Sequence, residues 1–250
     1  MTSPVVVGAT GGSGTRVIAR IVQGAGVFMG TVRNQSEDAM EFVDFYDQWI
    51  NRFVARRRRP LDAAEQTAMA EALQSCVGRH CAAIEGTLTP WGWKEPRSLY
   101  LLPFLDSSYS ALKFIHVVRD GRDMAFSPNQ NQLRKHGGAI LNGIYDEHPA
   151  PVRSAALWNA ANQMTADYGE VAMGPRYLRI RFEDLCREPE AIATRVSEFV
   201  GGDHPVSQDL TASVTTPSSI GRWRTAHDAD VVSAVSAAAA SGLYRFGYCG

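Results

Sequence analysis

Apolar positions along the chain follow two periods. Short continuous or alternating apolar runs predict buried strands, and segments with apolar residues three or four positions apart predict amphipathic helices. The runs that predict strands cover residues 5–7, 27–32, 91–94, 114–118 and 177–182. Helical patterns separate these runs, so strands and helices alternate. This order predicts an α/β fold with a central parallel sheet and helices on both of its faces.

Two of the predicted helices form an insertion, because no strand lies between them. The first begins at Ser36, which we expect to cap it, and the second covers about residues 61–84. We therefore predict one domain over residues 1–250, with a helical insertion at about 36–84. Aromatic residues at helical spacing predict the core-facing side of the first inserted helix: Phe42, Phe45, Trp49 and Phe53.

A long polar stretch over about residues 128–151 is rich in Asn, Gln, Gly and His. Long polar connections in a compact domain usually carry function or are disordered. We predict that this stretch forms a lid or part of the binding site for an acceptor.

Composition narrows the possible functions. With 250 residues, of which 45% are hydrophobic, the chain can bury a complete core, and its net charge of −1 gives no support for binding nucleic acid through bulk electrostatics. The four cysteines have neither disulfide-framework nor zinc spacing, so we expect free thiols and no metal. The amino-terminal residues lack the pattern of a signal peptide or a membrane span, and a cytoplasmic location is expected.

The glycine-rich stretch at residues 8–14 is the clearest candidate for ligand binding. It follows the first predicted strand and precedes a predicted helix that begins at Thr15. Glycines allow backbone N–H groups to approach an anion closely, and the helix amino terminus adds partial positive charge. The stretch therefore predicts a site for a phosphorylated ligand.

Two types of phosphate loop fit this stretch incompletely. The loop of a P-loop nucleoside triphosphatase needs a lysine directly after its last glycine. Here Lys94 is the first lysine of the chain. The dinucleotide loop of short-chain reductases matches better, and Tyr109 and Lys113 have the Tyr-x-x-x-Lys spacing of those enzymes. However, Lys113 borders a predicted strand, and no acidic residue ends the second strand to hold a ribose. An NADP-binding enzyme or sensor remains the alternative.

A third interpretation accounts for the end of the strand at 114–118. Arg119 follows this strand directly, and Ser127 lies eight residues further on. This pair resembles the 3′-phosphate motif of the sulfotransferases that use 3′-phosphoadenosine 5′-phosphosulfate (PAPS) as donor. That resemblance implies a P-loop-like sulfotransferase fold and a sulfuryl transfer to a hydroxyl or amine of a carbohydrate, lipid, natural-product or peptide acceptor.

Further segments resemble the same family in the same order along the chain. Residues 13–15 resemble its Ser-Gly-Thr loop, 182–185 its Tyr-Glu-Asp-Leu turn, and 221–224 its Gly-x-Trp-Lys loop. Residues 94–96 resemble the Lys-Asp-Pro segment of the tyrosylprotein sulfotransferases, which belong to the same family. The resemblance implies that PAPS is bound by residues in or next to the segments 13–15 and 221–224, together with the pair Arg119 and Ser127. The full set is Gly12, Ser13, Gly14, Thr15, Arg16, Arg119, Ser127, Ser219, Gly221, Arg222, Trp223 and Arg224.

The chain departs from the family at one position. Relatives place a lysine or arginine directly before the Ser-Gly-Thr, where this chain has Gly12. We expect Lys94, or else Arg16, to supply the missing positive charge. This departure also leaves open a protein that binds the nucleotide without catalysis.

The general base is not fixed by the sequence. Glu95 is a candidate beside the donor, and Glu37 and Asp38 lie where the tyrosylprotein enzymes carry their catalytic glutamate. His116 is expected in the core because it lies within a buried strand. Three other histidines are possible bases that no motif supports: His80, His136 and His148.

Overall fold

The computed structural model describes residues 3–86, 89–202, 207–225 and 228–248. Within them, four parallel strands pair in the order β2-β1-β3-β4. They are β1 (Val5–Ala9), β2 (Gly92–Lys94), β3 (Lys113–Val118) and β4 (Tyr177–Arg181). Because all four run in the same direction, their carboxyl ends meet at one edge of the sheet, where ligands bind in open α/β folds. The predicted α/β class and parallel sheet are confirmed.

Helices cover both faces of this sheet. Val6 and Phe114 pack on one face with the helices at residues 42–105, and Val5, Val7 and Ile115 pack on the other. The predicted aromatic stripe of the first inserted helix lies entirely in the first of these cores. The helices are α1 (Thr15–Gly24), α2 (Val43–Val54), α3 (Ala63–His80), α4 (Leu102–Ser108), α5 (Gly121–Ala125), α6 (Asn131–Leu141), α7 (Ala150–Tyr168), α8 (Phe182–Arg187), α9 (Pro189–Val200), α10 (Gln208–Ala212) and α11 (Ala229–Arg245).

The strand predicted at residues 27–32 does not form. Phe28 makes a single parallel bridge to Trp91, in which its carbonyl accepts the N–H of Gly92. Gly30 then adopts a left-handed conformation (φ 83°), which breaks the extended backbone. The segment therefore lies beside β2 without extending the sheet.

The helix predicted from Ser36 begins later, at Val43. The side-chain oxygen of Asn34 accepts the N–H groups of Ser36 and Asp38, and Glu37 has a left-handed conformation (φ 65°). Residues 34–38 are thus a polar turn, because the Asn34 side chain competes for the N–H groups that a helix would need.

The polar stretch at 128–151 is not a long irregular connection. It contains α6, which packs against α7 and α2. Leu133 and Leu141 of α6 are buried, whereas Lys135 faces solvent. The sequence did not predict this amphipathic helix, because most residues of the stretch are polar.

His116 lies in the core, as its position in a buried strand predicts. Its Nδ1 is 2.6 Å from the Tyr177 hydroxyl, and its Nε2 is 2.9 Å from Oδ1 of Asn162. A neutral ring satisfies both contacts, since Nε2–H donates to Asn162 and Nδ1 accepts from Tyr177. Burial lowers the pKa of His116 to about 3.

Gly92 is a position where the fold requires glycine. A Cβ there would lie 2.0 Å from the carbonyl oxygen of Val5, a backbone atom that cannot move aside. We expect Gly92→Ala to lower the free energy of unfolding by more than about 2 kcal/mol, because β2 could not keep its pairing with β1. Thermal melting measures this effect. Gly138→Ala is the control, because its site in α6 has no neighbouring atom within 4 Å; a Gly92→Ala protein as stable as this control would contradict the close packing.

The buried neutral His116 makes stability depend on pH. In the unfolded chain histidine has a pKa of about 6.5, and the folded value is lower, so only the unfolded state gains this proton between the two values. The free energy of unfolding should therefore fall on acidification below about pH 6.5, and this histidine adds up to about 1.4 kcal/mol per pH unit to the slope. Urea unfolding at several pH values should give a shallower slope for His116→Gln than for the unaltered protein. Equal slopes would contradict the assignment.

Candidate active site

A cavity of about 570 Å³ opens at the carboxyl edge of the sheet. The glycine-rich loop forms one wall, the end of β2 and the polar turn form a second, and the segment leading into α6 and the start of α7 form a third. Seven of the residues proposed from the sequence line this cavity: Gly12, Gly14, Thr15, Arg16, Asp38, Lys94 and Glu95.

The glycine-rich loop is shaped to receive an anion. Gly12 and Gly14 have left-handed backbones (φ 78° and 77°), and a Cβ on Gly14 would lie 2.1 Å from the Phe182 ring. Ser13 stabilises the turn by donating its hydroxyl to the carbonyl of Thr10 at 2.7 Å. Among the described residues, no side chain caps the amino terminus of α1 and none in its first turn is acidic. The N–H group of Val17 donates to the carbonyl of Gly14 at 3.2 Å, whereas those of Thr15 and Arg16 and the positive partial charge remain available to an anion.

Lys94 is buried where β2 ends. Its ammonium group donates to the carbonyl of Ser36 at 2.6 Å and to the carboxylate of Asp38. Its side chain is only 2% exposed, so the charge is held in place by these two contacts. The lysine thus connects the sheet to the polar turn and lines the cavity.

Glu95 begins a chain of charged groups beside Lys94. Its carboxylate accepts the backbone N–H of Arg97 at 2.7 Å and the guanidinium Nε–H at 2.8 Å. Burial raises the pKa of Glu95, while the Arg97 charge opposes the rise. Arg97 also pairs with Asp47, which in turn accepts from Lys135 of α6 at 2.7 Å.

Sequence reasoning did not assign Arg97 or Lys135 to the site, although both line the cavity. The scarcity of lysine gave one signal, because Lys135 is one of only three lysines in the chain.

Glu37, a predicted candidate base, does not line the cavity. Its carboxylate pairs with Arg20 at 3.1 Å and with Arg33 at 2.7 Å. The left-handed backbone of Glu37 turns its side chain to these arginines, and the next residue, Asp38, lines the cavity instead. Arg16 also lines the cavity, where it makes one long hydrogen bond of 3.5 Å to the carbonyl of Gln35.

Arg119 connects the glycine-rich loop to a distant segment. It donates to the carbonyl of Gly12 at 3.2 Å, and to the carbonyl and hydroxyl of Ser219 at 2.6 and 2.9 Å. Arg119 is 6% exposed, and its Nε has no hydrogen-bond partner among the described residues. One guanidinium therefore joins the end of β3 to two of the segments proposed for the donor.

The remaining proposed donor residues do not line the same cavity. Ser127 accepts the N–H of Asn129 at 3.2 Å and lines a separate cavity beside Pro128. Arg222 donates to the carbonyls of Ser219 and Phe126. Three other proposed donor residues line a smaller cavity of about 290 Å³: Gly221, Trp223 and Arg224.

The three candidate histidine bases lie outside the 570 Å³ cavity, all within the part of the chain that the structure describes. His80 donates through Nε2 to the carbonyl of Gly92 at 2.8 Å, a contact of the fold. His136 is buried against Asn51, and burial lowers its pKa to about 4. His148 is exposed beside Tyr145.

The fold separates Tyr109 from Lys113, the two residues on which the reductase alternative depends. Tyr109 packs edge-on against Trp91 in the core on one face of the sheet. Lys113 belongs to β3, and its ammonium group lies 5.9 Å from the ring of Phe199, which packs on the other face. The two side chains therefore cannot act together as the tyrosine and lysine of a short-chain reductase.

Two features are absent from the described residues. No helix there is both apolar and long enough to cross a membrane. The same residues contain no group of three or more His, Cys, Asp or Glu side chains placed to hold a metal ion.

Comparisons with solved structures show the fold. A sulfotransferase domain from the curacin biosynthetic pathway is 13% identical with a TM-score of 0.57, over 95% of this chain and 97% of that one. A sulfotransferase from Mycobacterium avium is 13% identical with a TM-score of 0.58, over 98% and 77%. One from Alicyclobacillus acidocaldarius is 15% identical with a TM-score of 0.55, over 98% and 94%.

Sequence comparisons gave two results. A search of curated proteins found no match. A protein-family model described as the sulfotransferase family matches residues 4–205. That span contains all four strands, the glycine-rich loop, Lys94 and Arg119. Since it covers most of the 250 residues, the chain belongs to the sulfotransferase family.

Proposed function

We propose that this protein transfers the sulfuryl group of PAPS to a hydroxyl or amine of a small-molecule, glycan, lipid or peptide acceptor. The observation that carries the proposal is the contact of Arg119 with both Gly12 and Ser219. It places a buried cation between the glycine-rich loop and the carboxyl-terminal segment, the two segments that resemble the donor-binding parts of the family.

The residues around Arg119 fit a donor with two phosphate groups. The uncapped amino terminus of α1 and the left-handed Gly12 and Gly14 offer N–H groups to the 5′-phosphosulfate. Arg119, with a buried Nε that lacks a partner among the described residues, would receive the 3′-phosphate. Further contacts to the donor are assigned to Ser127, Ser219 and residues 221–224.

When bound, PAPS supplies the sulfuryl group, which is transferred by an in-line displacement in which the protein positions groups and stabilises charge. Gly12 cannot provide the cation that relatives place before their Ser-Gly-Thr. Lys94 is buried, lines the cavity and belongs to a strand directly paired with β1. We assign the stabilisation of negative charge on the leaving phosphate to Lys94, with Arg16 as the second cation.

Asp38 is the best placed general base. Its carboxylate lines the cavity and contacts Lys94, whereas Glu37 is held outside by two arginines. Glu95 also lines the cavity, but both of its oxygens already accept hydrogen bonds from Arg97. A base needs an oxygen within hydrogen-bond reach of the acceptor hydroxyl. Both oxygens of Asp38 also accept hydrogen bonds, from Lys94 and from Asn34 at 2.9 Å, but its side chain is 20% exposed and that of Glu95 only 6%, so we assign the base to Asp38.

Donor binding is tested with adenosine 3′,5′-bisphosphate (PAP), the product of the reaction. Isothermal titration should show that the protein binds PAP and not NADPH, and that Arg119→Gln weakens PAP binding at least about tenfold, since hydrogen bonds to charged groups contribute about 1.5–3 kcal/mol. Arg20→Gln is the matched control, because Arg20 pairs with Glu37 outside the cavity. Binding of NADPH alone, or equal PAP affinity in the Arg119 variant, would refute the donor site.

Catalysis is tested separately through Lys94. Release of radioactive sulfate from PAPS to water, and its transfer to a panel of acceptors, should fall at least about a hundredfold in Lys94→Ala, because removing one group that stabilises transition-state charge has effects of this size. PAP affinity should change little. Lys113→Ala, a lysine near Phe199, is the control. Unchanged turnover in Lys94→Ala would move the role to Arg16, and PAP binding without any turnover would indicate a nucleotide-binding protein.

A further inference from the structure

A second buried charge contacts the carboxyl-terminal segment at residues 219–224, here called the closing segment. Asp123, in the first turn of α5, has a side chain that is 1% exposed. Its Oδ2 accepts the N–H of Gly221 at 2.8 Å, and its Oδ1 makes a longer contact of 3.5 Å with the N–H of Trp223. One carboxylate thus contacts two backbone groups of the closing segment.

The same carboxylate faces Arg119. Oδ2 of Asp123 lies 3.5 Å from the guanidinium nitrogen that donates to Ser219. A buried carboxylate is stable only when it is paired and hydrogen-bonded. Here the guanidinium supplies the charge, and the closing segment supplies the N–H donors. Removal of the segment would leave the Asp123 charge with fewer partners, so the ion pair favours the docked segment.

The backbone of the closing segment is shaped for this contact. Gly221 has a left-handed conformation (φ 78°), after which residues 222–224 form a single 3₁₀ turn. The turn brings the N–H groups of Gly221 and Trp223 to one carboxylate. The Trp223 ring lies 4.0 Å from the guanidinium of Arg122, which gives the segment a second contact with α5.

The neighbouring acidic residue does not share this arrangement. Asp120 accepts from the backbone and side chain of Arg122 and caps α5. The Asp123 carboxylate therefore accepts hydrogen bonds from the closing segment, whereas the Asp120 carboxylate accepts them from Arg122 of α5.

We propose that Asp123 is a positioning residue that docks the closing segment beside Arg119 before the donor binds. The inference rests on the proposed function, because the segment is assigned there to PAPS. Docking in the absence of ligand means that less backbone must be ordered on binding, which favours affinity for the donor.

The first test needs no ligand. Arg222 and Arg224 are sites for trypsin within the closing segment, so the rate of cleavage after them reports undocking. Cleavage followed by mass spectrometry should be at least about fivefold faster in Asp123→Asn than in the unaltered protein. Cleavage after Arg134 in α6 is the internal reference for general unfolding. Asp106→Asn is the matched control, because Asp106 pairs with Arg176 at a distance from the segment.

The second test separates positioning from a general loss of structure. Asp123→Asn should raise the KM for PAPS and the Kd for PAP about tenfold, leave the KM for the acceptor unchanged, and be partly rescued in Asp123→Glu, which restores the charge. Faster cleavage confined to the closing segment, together with this KM pattern, supports the proposal. Equal cleavage rates in Asp123→Asn and the unaltered protein would overturn it. If the unaltered protein does not bind PAP, the proposed function fails, and the cleavage result still decides whether Asp123 docks the segment.

Discussion

The site depends on one buried guanidinium at the end of β3. Arg119 contacts Gly12 of the glycine-rich loop, Ser219 of the closing segment and Asp123 of α5. Asp123 is four residues from Arg119, but Gly12 and Ser219 are each about 100 residues away, and the parallel pairing of β1 and β3 brings the glycine-rich loop to the same edge as Arg119. A buried charge must have partners, so the same requirement that stabilises Arg119 also fixes the relative positions of the loop and the segment.

The glycine-rich stretch at residues 8–14 brings no side-chain cation to the cavity. Because Gly12 has no side chain, the loop itself carries no cation before Ser13. Lys94 lies on the neighbouring strand, where the carbonyl of Ser36 and the carboxylate of Asp38 hold its ammonium group. In the proposed reaction the cation and the base would therefore be adjacent, and both depend on the polar turn at residues 34–38.

Features set by clear apolar periods could be predicted from the sequence, and features set by individual side-chain contacts could not. Buried strands and the glycine-rich loop follow from apolar runs and backbone freedom, so the parallel sheet and the turn before α1 were predictable. Glu37 could not be separated from Asp38, because their directions depend on the side chain of Asn34 and a left-handed backbone. Helix α6 was missed because its polar residues conceal the period of its few buried leucines. Lys135 and Asp123 are functional candidates only through partners distant in the sequence.

The central claim is that the glycine-rich loop, the end of β3 and the closing segment form one nucleotide site. Hydrogen–deuterium exchange with and without PAP tests it most directly, because the method reports each segment separately. The account predicts that PAP slows exchange together in residues 8–16, 117–127 and 219–225, and that Arg119→Gln reduces this protection in all three. Protection of the glycine-rich loop alone, or protection by NADPH and not by PAP, would contradict it.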